Sequence, residues 1–106
     1  TGVTTMTTET TVTMTRTEIA ATPDYRGRCP SILRAAVDRN ELFVVTNARG
    51  QRALARGYDA NEALAAVAAR IPGAPETDGE ATGANDAILA DWLRAKGWSV
   101  ARVALP

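Results

Sequence analysis

The first 22 residues constrain this fold most, because eleven of them are Thr and few carry a large apolar side chain. The whole chain has 106 residues, so roughly 80 remain to build a core, which is enough for one domain. We therefore predict a flexible Thr-rich tail at 1–22 and a single α+β domain at 23–106. Along 11–19, Thr alternates with other residues at the period of a β-strand, so the alternative for that stretch is an edge strand.

The remaining residues show patterns of both helices and strands. Segments with a helical period are 31–39, 59–71 and 85–96, and segments with strand character are 42–46, 52–58 and 98–105. The turn residues Asn47 to Gly50 join the first two strands into a hairpin. These patterns predict a small two-layer α+β domain, with a short antiparallel sheet covered on one face by three helices. The sheet would contain the hairpin and the C-terminal strand.

The residue types present exclude several chemistries. Histidine is absent, which removes the commonest general base and the commonest metal ligand. A Ser–His–Asp triad, a Cys–His pair and the usual structural zinc sites therefore cannot be built. Cys29 is the single cysteine, so no disulfide can form within the chain. Arg26 and Arg28 beside it could favour a thiolate, but without a base or a second cysteine we expect a structural role.

Two loop patterns fall short of known ligand motifs. The acidic loop from Glu76 to Glu80 is similar in spacing to a calcium loop, but Ala87 stands where the bidentate Glu should be. A glycine-rich phosphate loop is also missing from the sequence. We therefore predict no metal, no cofactor and no enzymatic activity.

The hairpin's second strand is the predicted partner-binding surface. Its alternation places Arg52, Leu54, Arg56 and Tyr58 on one face, with Arg49 in the adjoining turn. Arg binds carboxylate and phosphate groups through two hydrogen bonds, and Arg and aromatic side chains are enriched in binding hot spots. The predicted binding residues are Arg49, Arg52, Arg56 and Tyr58. In the alternative interpretation, Leu54 and Tyr58 face the core and the Arg stems lie at its rim.

The charge pattern suggests what such a surface would bind. Net charge is zero, but Arg16 to Arg56 holds eight Arg against four acids, whereas Gly57 to Leu93 holds seven acids against Arg70. Separated charges of this kind give a protein interface steering and specificity. We expect a protein-binding module that inhibits or regulates a larger macromolecular machine. It would be antitoxin-like or of the phage anti-defence or anti-CRISPR type, an analogy of size and character.

Other partners remain as alternatives. A nucleic-acid-binding factor would use the same Arg-rich strand, although zero net charge weighs against it. A homodimer could form through a sheet edge, for example between two copies of the last strand. No run of 18 apolar residues and no apolar signal-peptide region are present, so we predict no membrane association and a cytoplasmic location.

Overall fold

The computed structural model describes residues 9–26, 30–78 and 82–106. Their strands form one four-stranded sheet in the order β1-β4-β2-β3, and the predicted α+β class is confirmed. The elements in chain order are β1 (Thr11–Thr13), α1 (Arg16–Ala21), α2 (Pro30–Arg34), a 3-10 helix (Ala35–Arg39), β2 (Leu42–Thr46), β3 (Arg52–Arg56), α3 (Ala60–Ala68), α4 (Gly83–Ala95) and β4 (Ser99–Ala104).

The sheet is mixed, which corrects the prediction of a purely antiparallel sheet. Strand β2 pairs antiparallel with both β3 and β4, so the hairpin and its pairing with the last strand are as predicted. Strand β1 pairs parallel with β4, with Val12 opposite Val103. A hairpin turn imposes antiparallel pairing, but β1 and β4 come from opposite ends of the chain and no turn sets their direction.

Both faces of the sheet are covered, so the predicted two-layer arrangement is wrong. Leu42 and Val44 of β2 pack in one buried cluster, whereas Phe43 and Val45 pack in a second cluster on the other face. All four side chains are buried. Four consecutive large apolar residues are typical of a strand enclosed on both sides, because alternate side chains point to opposite faces. The sheet therefore lies between two helical layers.

The first layer begins in the segment predicted as a flexible tail. Residues 9–22 hold β1, a strand at the sheet edge as the alternative expected, and α1, and Met14 and Ile19 are buried in the core at 2% and 3% exposure. Thr15 and Glu18 form a reciprocal capping box: the Glu18 N–H donates to the Thr15 hydroxyl at 3.1 Å, and the Thr15 N–H donates to the Glu18 carboxylate at 3.0 Å. This cap ends the strand and starts the helix. Residues 1–8, the rest of the predicted tail, lie outside the described residues.

The chain then runs along the outer edge of β3. The Leu54 N–H donates to the Pro23 carbonyl at 2.8 Å, and the Tyr25 N–H donates to the Leu54 carbonyl at 3.0 Å. Arg34 of α2 fixes the preceding helix, since its guanidinium donates to the carbonyls of Ile19 and Thr22. The edge of β3 is therefore partly paired within the chain.

The second layer consists of α3 and α4. Asp59 caps α3, because its side chain accepts the Glu62 N–H at 2.8 Å and so satisfies a backbone donor of the first turn. Gly57 lies under this first turn, and a Cβ there would approach the Ala63 nitrogen to 2.8 Å. The close approach of β3 to α3 therefore depends on glycine. Within the described ranges, no helix is long and apolar enough to cross a membrane.

Candidate functional site

The structure does not gather the four predicted binding residues into one surface. Arg49 lies in the exposed hairpin turn and Arg52 at the adjoining start of β3, whereas Arg56 ends that strand. Tyr58 follows Arg56 and is 71% exposed. Leu54 lies between the two strand arginines and is fully buried under the first helical layer. The site therefore divides into one pair at the hairpin end of the sheet and another at the opposite end.

The alternative interpretation holds for Leu54 and fails for Tyr58. Leu54 faces the core, and Arg52 and Arg56 stand on the same face at its two margins, as strand alternation requires. The Gly57 N–H donates to the Glu41 carbonyl at 3.0 Å, and Tyr58 follows this hydrogen bond, beyond the end of β3. Its ring consequently extends into solvent.

The pair at the opposite end is already engaged within the protein. The Arg56 guanidinium contacts the Glu41 carboxylate through Nη2 at 3.0 Å and Nε at 3.1 Å. Arg39 contacts the same carboxylate oxygen at 3.5 Å. Arg56 would have to give up this ion pair to bind a carboxylate of a partner, which makes it the weaker member of the predicted set.

The hairpin pair is different, because neither guanidinium group has a partner among the described residues. Both Arg49 and Arg52 are exposed. Arg49 contributes only its backbone N–H, which donates to the Asn47 side chain. Arg52 is close enough to Glu18 to help lower the pKa of that carboxyl, although the larger causes are the hydrogen bonds from Thr15. Two arginines thus remain available to an external anion.

Two further cations from distant parts of the sequence lie at the same end. Thr46 is paired with Arg52 on one side and with Ser99 on the other, so the start of β4 is level with the hairpin turn. A Cβ on Gly97 would lie 3.1 Å from Ala48, which puts the end of α4 against that turn. Lys96 therefore joins this end, with its ammonium 4.8 Å from the centre of the Trp92 ring.

Arg70 is the fourth cation. It follows α3 and lines a cleft together with Ala53, the neighbour of Arg52, and Trp98. In the part of the chain that the structure describes, Arg70 has no carboxylate partner. We call Arg49, Arg52, Arg70 and Lys96 the basic end. Sequence reasoning missed Arg70 and Lys96, because both are far from the hairpin along the chain and no local pattern links them to Arg49 and Arg52.

An acidic cleft lies on the face of α3 and α4. Its volume is about 730 Å³, and Glu9, Asp59 and Asp91 contribute carboxylates to its lining. Arg94 crosses the cleft, with Nη1 donating to the Asn61 side chain at 2.8 Å and contacting Asp91 at 3.4 Å. Burial raises the pKa of the nearby Asp86, and the Asp59 carboxylate raises it further. Negative charge is therefore grouped around the start of α3 and along the adjacent face of α4.

Among the described residues, no group of three or more His, Cys, Asp or Glu side chains could hold a metal ion. Cys29 lies outside the described residues, as do Gly79 and Glu80 of the acidic loop. Comparison with protein-family models, curated proteins and solved structures finds no match to this chain.

Proposed function

We propose that this protein is a non-enzymatic module that binds a larger protein and inhibits or regulates it. The observation that carries the proposal is the basic end, where two exposed guanidinium groups, Arg49 and Arg52, have no partner among the described residues. Arg16, Arg56 and Arg102, in contrast, each contact a carboxylate within the chain. Unpaired Arg side chains on a folded surface can bind the carboxylates of a partner without first breaking an internal ion pair.

The position of these arginines also suits binding. Arg52 belongs to β3, which is bonded to β2 on one side and to the Pro23–Tyr25 segment on the other. A binding group on a strand is held more precisely than one on a loop. Lys96 and Arg70 add positive charge beside it, which would speed association with an acidic surface.

Grouped positive charge supports an acidic protein surface as the target. The acidic cleft runs from Asp59 before α3 to Ser99 at the start of β4, so it borders the basic end. Zero net charge conceals this grouping of unlike charges. A partner with a complementary acidic patch would be steered toward one end only.

The test is capture of a partner from a lysate of the source organism by the tagged full chain. Arg49→Gln with Arg52→Gln should reduce the captured partner at least tenfold, since two charged hydrogen bonds of about 1.5–3 kcal/mol each are lost. The matched control is Arg16→Gln with Arg39→Gln, which removes the same charge where both groups already contact acids. It should capture the partner normally.

Two results would overturn the proposal. Capture that survives in a folded Arg49→Gln, Arg52→Gln variant would show that the basic end is not the interface. Capture that disappears after nuclease treatment would identify a nucleic acid as the partner and favour the alternative function. A third variant, Arg56→Gln with Tyr58→Ala, measures whether the opposite end contributes, and we expect less than a threefold effect.

A further inference from the structure

An apolar cleft opens beside the basic end, on the face of the sheet that carries α3. Its volume is about 430 Å³, within the range of pockets that enclose a small ligand or a large side chain. The floor and walls are Val45 and Ala53 of the hairpin, Val67 and Ile71 of the α3 region, and the rings of Tyr25 and Trp98. Both rings are half-buried and pack against the second core cluster.

Among the described residues, one charged group lines this cleft. Arg70 is exposed, and its guanidinium contacts no carboxylate among the described residues. A second cation stands at the margin, because the Arg26 guanidinium lies 5.5 Å from the centre of the Tyr25 ring. Arg26 is only loosely paired, with Nε 3.9 Å from the buried Asp24 carboxylate. The cleft therefore combines an apolar interior with a cationic margin.

These features select one class of occupant. An apolar cavity gains free energy from a side chain that leaves water, at roughly 25 cal/mol per Å² buried. The guanidinium of Arg70 favours a carboxylate, which it can hold through two hydrogen bonds. A nucleic acid chain would bind mainly through cations spaced along its backbone, whereas the lining of this cleft is apolar apart from Arg70.

We propose that the cleft binds one large apolar side chain from an acidic segment of the partner protein, while Arg70 binds a neighbouring carboxylate of that segment. The inference deepens the proposed function and rests on it, because it names the kind of sequence that the module recognises. An aromatic or branched aliphatic anchor in a pocket, surrounded by charged contacts, is the arrangement that supplies most of the energy in many interfaces.

The experiment uses the full chain and four synthetic peptides, three acidic and one basic, with binding followed by NMR. The three acidic peptides have the form Glu-Asp-X-Glu-Asp with blocked ends, and X is Phe, Leu or Ser. The Phe and Leu peptides should shift the Trp98 indole signal and the Ala53 and Ile71 backbone signals, with dissociation constants at least tenfold lower than that of the Ser peptide. A version of the Phe peptide flanked by Lys should not bind. Equal binding of all four peptides would overturn the inference.

Two substitutions place the binding in this cleft. Ala53→Met fills the cavity from the sheet, and Arg70→Gln removes the carboxylate contact at an exposed position where folding should not be affected. Each should weaken the Phe peptide at least tenfold. Ala87→Met, which narrows the acidic cleft instead, and Arg16→Gln are the matched controls and should change the affinity less than twofold.

The same variants separate this inference from the proposed function. If partner capture depends on Arg49 and Arg52 but is unchanged by Ala53→Met and Arg70→Gln, the module stands and the cleft inference is wrong. If peptides bind the cleft while no capture depends on Arg49 and Arg52, the proposed interface is wrong instead. Preferential binding of a hexathymidine oligonucleotide at the Trp98 signals, or self-association abolished by Ala53→Met, would overturn the choice of occupant.

Discussion

Removing the guanidinium of Arg102 should destabilise this protein more than removing any exposed arginine. Arg102 lies on β4 and donates to both oxygens of Glu9, through Nε at 3.1 Å and Nη2 at 2.9 Å. It also donates to the backbone carbonyls of Asn40 and Tyr58, the latter at 3.0 Å, and its Cζ is 4.5 Å from the centre of the Phe43 ring. One side chain thus joins the N-terminal segment to two loops around the sheet.

The expected cost of Arg102→Met follows from these contacts. The Arg102 side chain is 16% exposed and that of Glu9 is 35% exposed. The ion pair should therefore stabilise the fold more than a fully exposed pair does, but water still screens it, and it contributes about 1 kcal/mol. The carbonyl hydrogen bonds and the ring contact add about 2 kcal/mol, because water can replace part of what is lost. Methionine keeps the packing of the stem. A loss of about 3 kcal/mol corresponds to a melting temperature lower by ~12–24 °C in a domain of this size.

The assay is urea unfolding followed by circular dichroism, with thermal unfolding as a second measurement. Arg39→Met is the control, because Arg39 is 57% exposed and makes one contact of 3.5 Å to Glu41. It should cost less than about 1 kcal/mol. Arg102→Lys should recover only part of the loss, since an ammonium group cannot satisfy both carboxylate oxygens and two carbonyls. A loss below about 1 kcal/mol for Arg102→Met would refute the reasoning.

Three further results are expected. Gly57→Ala should lower the free energy of unfolding by about 1–3 kcal/mol, because the new methyl group meets the first turn of α3, as chemical denaturation will measure. Thr15→Ala should raise the pKa of Glu18 in part, because the Thr15 backbone N–H, the larger cause of the lowered pKa, stays and only the side-chain hydrogen bond is lost. Ionised Glu18 adds to the free energy of unfolding at pH values above its unfolded-state pKa, and this stabilisation is lost as pH falls through the folded-state pKa. The variant should therefore lose less stability on acidification. Asp59→Asn should lower the pKa of Asp86 in a carboxyl NMR titration while keeping the helix cap, since Asn caps as well as Asp.

Control variants test the predictions for Gly57→Ala and Asp59→Asn. Gly83→Ala is the control for Gly57→Ala, because nothing lies within 4 Å of a Cβ at that position, and it should leave the protein equally or more stable. Unchanged stability in Gly57→Ala would contradict the close approach. For Asp86, Glu62→Gln removes a different acid and should leave the pKa of Asp86 unchanged. An Asp86 pKa that also stays constant in Asp59→Asn would leave burial as its sole cause.

Local sequence patterns correctly predicted the hairpin and the last two helices. The run from Leu42 to Val45 and the Asn47–Gly50 turn act over a few residues, so their structure is decided by backbone preference and side-chain alternation. The Asp59 cap is local in the same way, since Asp59 stands three residues before the Glu62 N–H that it accepts. The Thr15–Glu18 spacing carries the same signal, but the surrounding Thr repeats favoured a strand or disorder, and α1 was missed.

Sequence patterns predicted only part of the candidate site, because they report on neighbours along the chain. Alternation placed Arg52, Leu54 and Arg56 on one face, but it could not show that Glu41 engages Arg56 or that Leu54 is covered. Nor could it show that Arg70 and Lys96 lie near Arg49, because those residues are far apart in the chain.

What the sequence alone determined is the α+β class, the absence of histidine chemistry and the local elements with strong periodicity. What only the tertiary structure decided is the parallel pairing of β1 with β4, the second helical layer and the assembly of the basic end. The physical reason is the distance along the chain over which each interaction acts. Backbone preferences and alternation act between neighbours, whereas strand order, burial on both faces and the grouping of charges depend on which distant segments exclude water together.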